Sequence, residues 1–367
     1  KNMQRAKNVQ YPVISPSSTE GNVCVRLTFP FRHLHHTFTI AVSKALYDGA
    51  RTSGKTARVP ARTGDAWLAG YYTAFTTDPA LVPFYQTILA KLRKIRSSQN
   101  YDDDSYLELI AAFVQSIPYD TEKVASINRA PRFPVETVVD KKGICSDKSL
   151  LLAGLLAHEG YAVAVLHFSA ENHLAVGIPV QDGYDFRGCG CAVIESTALG
   201  YVGDAEGVFP AGDGKTRKLA SRPKVFFVGH GSKRYGSISQ VARILATRSA
   251  LLEKLAENGP FTQQIRSKES SVSLIKEELS VSRNKIEMLE ENTKKLAEDT
   301  EGFAVAYTEY REAIMCHNKR VALLAEEIQR YNQLVDEYNR LAAALAYLQH
   351  NRLDRPKTFA RIQNLRI

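Results

Sequence analysis

Three residues have the types and setting for covalent chemistry: a cysteine at the start of an apolar helix, a histidine opening a strand, and a glutamate in the next strand. The segment Gly143-Ile144-Cys145-Ser146-Asp147-Lys148 sets a thiol just before the run KSLLLAGLLAH, Lys148 to His158. At a helix start, unpaired N–H groups and the positive end of the dipole favour a thiolate over a thiol. A nucleophilic thiol needs a base that takes its proton and later protonates the leaving group, and a third group that fixes the base's tautomer. His173 opens one predicted strand and Glu195 lies in the next, and antiparallel neighbours can bring two such side chains within hydrogen-bond reach. An oxyanion would be held by the Cys145 backbone N–H plus a side-chain donor, for which Gln115 and Tyr119 are the candidates.

Each residue also has a plainer reading. Cys145 as an inert buried thiol, His173 as a core histidine and Glu195 as a salt-bridge partner are less persuasive together than a triad is. His167 competes with His173 but sits mid-strand in an apolar run. Asp147 falls at an N-terminal helix position, where a carboxylate caps free N–H groups. Cys189-Gly190-Cys191 reads as a turn with two incidental thiols rather than a redox or metal pair. Gly229 to Lys233 lacks the second Gly-Lys-Ser/Thr element of a phosphate cradle. Asp102-Asp103-Asp104-Ser105 lacks the spacing, Gly and distal Glu of a calcium loop and reads as a helix cap. The five cysteines are scattered, with no paired CxxC, so neither a disulfide framework nor a zinc site is expected, and no cofactor is implied.

The motifs resemble those of the transglutaminase-like superfamily of thiol enzymes, microbial type. They are Pro134-Val135-Glu136-Thr137, the Gly143 to Lys148 segment, the His173 to Gly177 strand, and Ile194-Glu195-Ser196-Thr197. Phe113 to Tyr119 also resembles the helix-plus-tyrosine element that precedes the nucleophile. The resemblance covers about residues 105–210. It implies a papain-like fold with Cys145 as nucleophile, His173 as base and Glu195 as orienting acid. Glu195 departs from the aspartate usual in animal members, and the calcium sites of those members have no counterpart in spacing here.

These residues must be positioned by elements that the rest of the sequence outlines. Residues 1–22, rich in Pro and Ser, read as a flexible N-terminal segment. Val23, Val25 and Leu27 alternate, then Thr37 to Val42, as in a hairpin with a turn near Pro30–His36. Helices are predicted over Pro83–Arg96 and Asp102–Gln115. Trp67, Tyr71 and Tyr72 read as an aromatic core cluster. Strands are predicted at Tyr161–Phe168, His173–Val180 and Cys191–Ser196, with Phe226–Val228 as a fourth. Beyond Ser237 the chain turns helical, and from Phe261 to Leu345 apolar residues keep a heptad register. Asp299 to Gly302 reads as the turn of an antiparallel hairpin. The expected architecture is α+β: a transglutaminase-like catalytic domain over 23–245, a helix packed on an antiparallel sheet, followed by a long α-helical coiled-coil tail over 246–355 and a C-terminal tail over 356–367.

Composition sets the outer bounds. The 367 residues are 44% hydrophobic and 24% charged, ordinary globular usage. Net charge is +9, of which residues 1–245 hold +8 and the remainder +1. That excess is diffuse, with no run of five like charges, which argues against nucleic acid as a partner. No apolar run is long enough to span a membrane. The chain opens on Lys1 rather than Met, so an upstream segment is a possibility left open, and a secreted or cell-surface setting is preferred to a cytoplasmic one. The expected activity is acyl transfer at amide bonds of a peptide or protein substrate. Hydrolysis is favoured over amine transfer because neither a calcium switch nor an amine pocket is visible. The rival reading is a scaffold whose coiled coil binds a protein partner.

Overall fold

The alternating stretch after Gly21 folds as a hairpin, β1 (Asn22–Phe31) paired antiparallel with β2 (Leu34–Ser43). This is seen in a computed structural model that describes residues 9–60, 64–127, 129–205, 208–210, 216–298 and 300–365. Val25, Leu27, Phe29 and Phe31 bury one face, as a period of two requires. The turn is tighter than expected: only Arg32 and His33 connect the strands, with φ of 48° and 64°. Two-residue loops of this hand demand positive φ at both positions and usually take Asn or Gly. Here tertiary contacts hold the strained pair, with the Arg32 guanidinium 4.7 Å above the Tyr101 ring and 3.8 Å from Glu108. Of the segment expected to be flexible, residues 1–8 lie outside the described residues, while Ile14 is buried and donates its N–H to Asp78 at 2.8 Å.

Helices α1 (Lys44–Thr52), α2 (Trp67–Thr76), α3 (Val82–Gln99) and α4 (Asp103–Gln115) follow. The acidic cluster starts α4 as a cap, Asp102 accepting from the Ser105 N–H at 2.7 Å. Next come α5 (Thr121–Ala125) and α6 (Pro134–Val139). Pro134 occupies the first turn of α6, where no N–H is missed, and Glu136 reaches back to the Phe133 N–H at 2.8 Å. α7 (Cys145–His158) is buried nearly all round, as its unbroken apolar sequence requires. Gly154 lets the Tyr85 ring lie against it: an added Cβ would meet the hydroxyl at 2.0 Å.

The strands are β3 (Ala162–Phe168), β4 (His173–Pro179), β5 (Cys191–Ile194), β6 (Val208–Pro210), β7 (Thr216–Lys218) and β8 (Lys224–His230). Four of them form one antiparallel sheet in the order β5-β4-β3-β8, with β8 at the predicted fourth position. α7 packs against β3, β4 and β8. The class is therefore α+β with antiparallel sheets.

The chain goes on through α8 (Ile238–Lys254), α9 (Pro260–Lys295), α10 (Thr300–His350) and α11 (Arg355–Gln363). It divides into two units: residues 1–245 with 351–364, and residues 246–350 with 365–367. In the second unit α9 and α10 run antiparallel, marked by Lys268 to Glu327 at 2.8 Å, Ser282 to His317 at 3.1 Å and Glu278 to Arg320 at 3.5 Å. Thr300 to Gly302, read in the sequence as part of the turn, form the first turn of α10, and Asp299 lies outside the described residues. The segment read as a C-terminal tail is instead the helix α11, which belongs to the first unit. Arg355 there donates to buried Glu108 at 2.5 Å, and Tyr201 donates to the Asn351 carbonyl at 3.0 Å and to Thr358 at 3.1 Å. Two partners this far apart in sequence leave no local spacing signal.

Candidate active site

The site is built where the start of α7 meets the ends of β4 and β5. Cys145 is the first residue of α7 and is partly exposed. Asp147, fully buried, caps this turn by accepting from the Ile144 N–H at 3.1 Å. Its charge is met by Lys123 at 2.7 Å and 2.8 Å and by the Arg132 N–H at 2.8 Å. A carboxylate so surrounded fixes the backbone that carries the thiol.

Lys148, one turn further on, is wholly buried. Its ammonium donates to the carbonyls of Ile117 at 2.6 Å and Gln115 at 3.1 Å, joining the end of α4 to the start of α7. Burial drives its pKa down to about 7, with the Glu195 carboxylate pulling the other way. Ser149, a lone hydroxyl in the apolar run, donates to the Leu174 carbonyl at 2.9 Å and lies 3.0 Å from the Ser196 hydroxyl. One helical residue thus ties down the neighbours of both His173 and Glu195.

His173 opens β4 opposite Phe168 and is 2% exposed. Its Nε2 lies 2.8 Å from Glu195 Oε2, and Cys145 is close enough to act on its titration. Burial alone would lower the imidazole pKa. The Glu195 charge, the neighbouring Cys145 and the hydrogen bond to Glu195 outweigh it and push the value up to about 10. On the other side of the pair, burial would raise the Glu195 pKa, but His173 and Thr197 hold it below its ordinary value. Glu195 Oε1 accepts from the Thr197 N–H at 2.8 Å and its hydroxyl at 2.7 Å, so Thr197 orients the carboxylate. Glu195 itself sits one residue past the end of β5 rather than within a strand, which frees its backbone for that turn.

The structure brings Cys145, His173 and Glu195 together, and it separates the two oxyanion candidates. Tyr119 stands beside the turn at Gly143, and its side chain lines the same cleft as Cys145. Burial, then the neighbouring Cys145, Glu195 and Asp147 charges, keep that phenol well above its ordinary pKa. Gln115 was expected as an alternative donor; its amide is committed elsewhere. Its Nε2 donates to the Glu195 carbonyl at 2.8 Å and its oxygen accepts from the Gly200 N–H at 3.3 Å, so it positions the acid.

Cys145 and His173 open into a cleft of about 390 Å³ whose walls include Tyr72, Tyr119, His167 and the exposed Arg129. His167 is therefore nearer to the chemistry than its mid-strand position suggested. Its Nδ1 lies 3.3 Å from the Tyr72 hydroxyl, and burial, then Lys224, lower its pKa. Among the described residues no cluster of three His, Cys, Asp or Glu is placed to hold a metal ion. Cys189 and Cys191 are both free thiols, Cys189 donating to the Cys191 carbonyl at 3.3 Å.

Comparison with known families bears on this geometry. Residues 89–186 match the family model described as a transglutaminase-like domain. This part of the chain is similar to that family. That family generally includes cysteine-dependent enzymes. The search of curated proteins and that of solved structures each found no match. The transglutaminase-like match takes in Cys145 and His173 and stops short of Glu195, whose place rests on the fold alone.

Proposed function

We propose that the chain is a thiol enzyme acting on amide bonds of peptide or protein substrates, with Cys145 as nucleophile, His173 as acid–base and Glu195 as the orienting acid. The observation that carries this reading is that Cys145 and His173 line one open cleft while His173 Nε2 is held at 2.8 Å by the buried Glu195 carboxylate. The arrangement would be papain-like, with the thiol on a central helix and the base on a strand packed against it.

In the proposed cycle the Cys145 sulfur attacks the amide carbonyl while His173 holds the thiol proton. The oxygen that becomes negative would take the Cys145 N–H, with the Tyr119 phenol O–H as a second donor. Collapse expels the amine, which receives its proton from the imidazolium and leaves a thioester. His173 then takes a proton from water, the hydroxide adds to the thioester, and the thiolate departs. The exposed polar rim, with Arg129, Asn172 and Arg217, lets water reach the thioester, which favours hydrolysis over amine transfer.

The test is the rate of alkylation of Cys145 by iodoacetamide at neutral pH and, on separate unmodified protein, incubation with a peptide library. Rapid alkylation that falls at least about tenfold in His173→Ala, with peptides cleaved, supports the reading. Slow alkylation unaffected by His173→Ala would sink the triad, and peptides joined to added amines without cleavage would replace hydrolysis with cross-linking.

A further inference from the structure

The helix α9 carries two apolar stripes. One faces α10 and buries Val272 and Ile275, on the side marked by the Lys268–Glu327 and Ser282–His317 contacts. The other is Leu274, Val281 and Met288, seven residues apart and 62%, 66% and 73% exposed. A helix with one partner needs one stripe, and a second at heptad spacing is the seam for another helix. This stripe runs for about 21 Å at 1.5 Å per residue. Leu274 and Val281 line a groove of about 320 Å³ with Glu277, Glu278 and Arg320.

We propose that this seam pairs with the same seam of a second copy of the chain, antiparallel, about a two-fold axis at Val281. The symmetry of the stripe argues for self-pairing. An axis there sets Val281 against its own counterpart and Leu274 level with Met288 of the second copy. The charges argue for the antiparallel sense. Glu277 stands four residues before Val281 and Lys285 four residues after it, both exposed. The axis brings each Glu277 level with a Lys285 across the seam, twice per dimer. A parallel pairing would set like charges opposite one another, which is destabilising. Among the described residues neither Glu277 nor Lys285 has an ion-pair partner in its own chain, whereas Glu278 is taken by Arg320 at 3.5 Å.

Sedimentation of the full-length chain at micromolar concentration tests this. A dimer is expected, with Val281→Glu raising its dissociation constant about a hundredfold or more, since the substituted carboxylates would face each other in the seam. Lys285→Glu alone should weaken it about tenfold by setting two pairs of like charges together, and adding Glu277→Lys should restore it. All the substituted positions are solvent-facing in the protomer, so the melting of its helices by circular dichroism should not change. In a Cys24→Ser, Cys145→Ser, Cys189→Ser, Cys316→Ser background, Val281→Cys should join two chains through a short bismaleimide. A monomer, a dimer indifferent to Val281→Glu, or a charge swap that fails to restore association would overturn the proposal.

Discussion

His173 carries the sharpest expectation at the scale of single residues, because its pKa near 10 is held up by Glu195 against the effect of burial. Glu195→Gln keeps the shape of the side chain and removes that charge. Turnover should fall by roughly 10²–10⁴-fold. The alkaline limb of the pH–rate profile, set by loss of the imidazolium, should also move from near 10 to lower pH. An unmoved limb would assign the limb to another group. Lys148 supplies a second test, through stability. Its folded pKa is about 7 against an ordinary 10.5, so the unfolded chain holds the extra proton and stability rises with pH across that window. His173 is shifted the other way, from 6.5 to about 10, so its contribution is complete below about pH 6.5 and is lost as pH rises through about 10. The two slopes oppose each other between pH 7 and 10. Lys148→Met removes the rising one, and chemical denaturation at several pH values should show stability declining across that window more steeply than in the unmodified chain.

Elements, more than residues, decide what was readable in the sequence. The nearness of Cys145, His173 and Glu195 was legible because a helix start, a strand start and the turn just after the next strand place them, and such elements announce themselves by period. Gln115 was misread because a buried amide chooses its partner by tertiary proximity. Its bond to the Glu195 carbonyl spans 80 positions and leaves no spacing to detect. His167 was set aside as a mid-strand residue, yet the neighbouring Tyr72 brings it into the cleft wall. Ser149 could have been found, since one hydroxyl inside KSLLLAGLLAH has to meet a partner when buried. Ser149→Ala would leave the Leu174 carbonyl without that donor and should cost about 1–3 kcal/mol in unfolding free energy. Its effect on turnover should exceed its effect on substrate affinity, because it loosens the residues next to His173 and Glu195. Gly154→Ala should be the worse lesion for folding alone. The added methyl would strike the Tyr85 hydroxyl, and overpacking of this kind costs about 1–3 kcal/mol or more, measurable as a lowered denaturation midpoint.

For the whole molecule, the expectation that the catalytic unit ends near residue 245 gives way to a unit made of two stretches of chain. Glu108 is buried among Arg355, Arg32 and the Tyr235 hydroxyl at 2.7 Å. Cutting the chain after residue 260 removes Arg355 and leaves much of that charge uncompensated, at a cost of about 3–5 kcal/mol. That truncated chain should therefore be poorly soluble or slow to react with thiol reagents. Adding the 351–364 peptide in trans, or substituting Glu108→Gln in the truncated chain, should recover part of the loss. A truncated chain as stable as the full one would show α11 to be dispensable.

The same arrangement has a meaning for the order in which the protein comes into being. During synthesis Cys145, His173 and Glu195 leave the ribosome with Glu108 already made, while the arginine that neutralises it lies more than a hundred residues behind them. The two long helices must be translated in between. The unit holding the thiol is thus completed only after the two long helices have been made, and a chain stalled anywhere within α9 or α10 carries the Cys145 thiol without the completed structure around it.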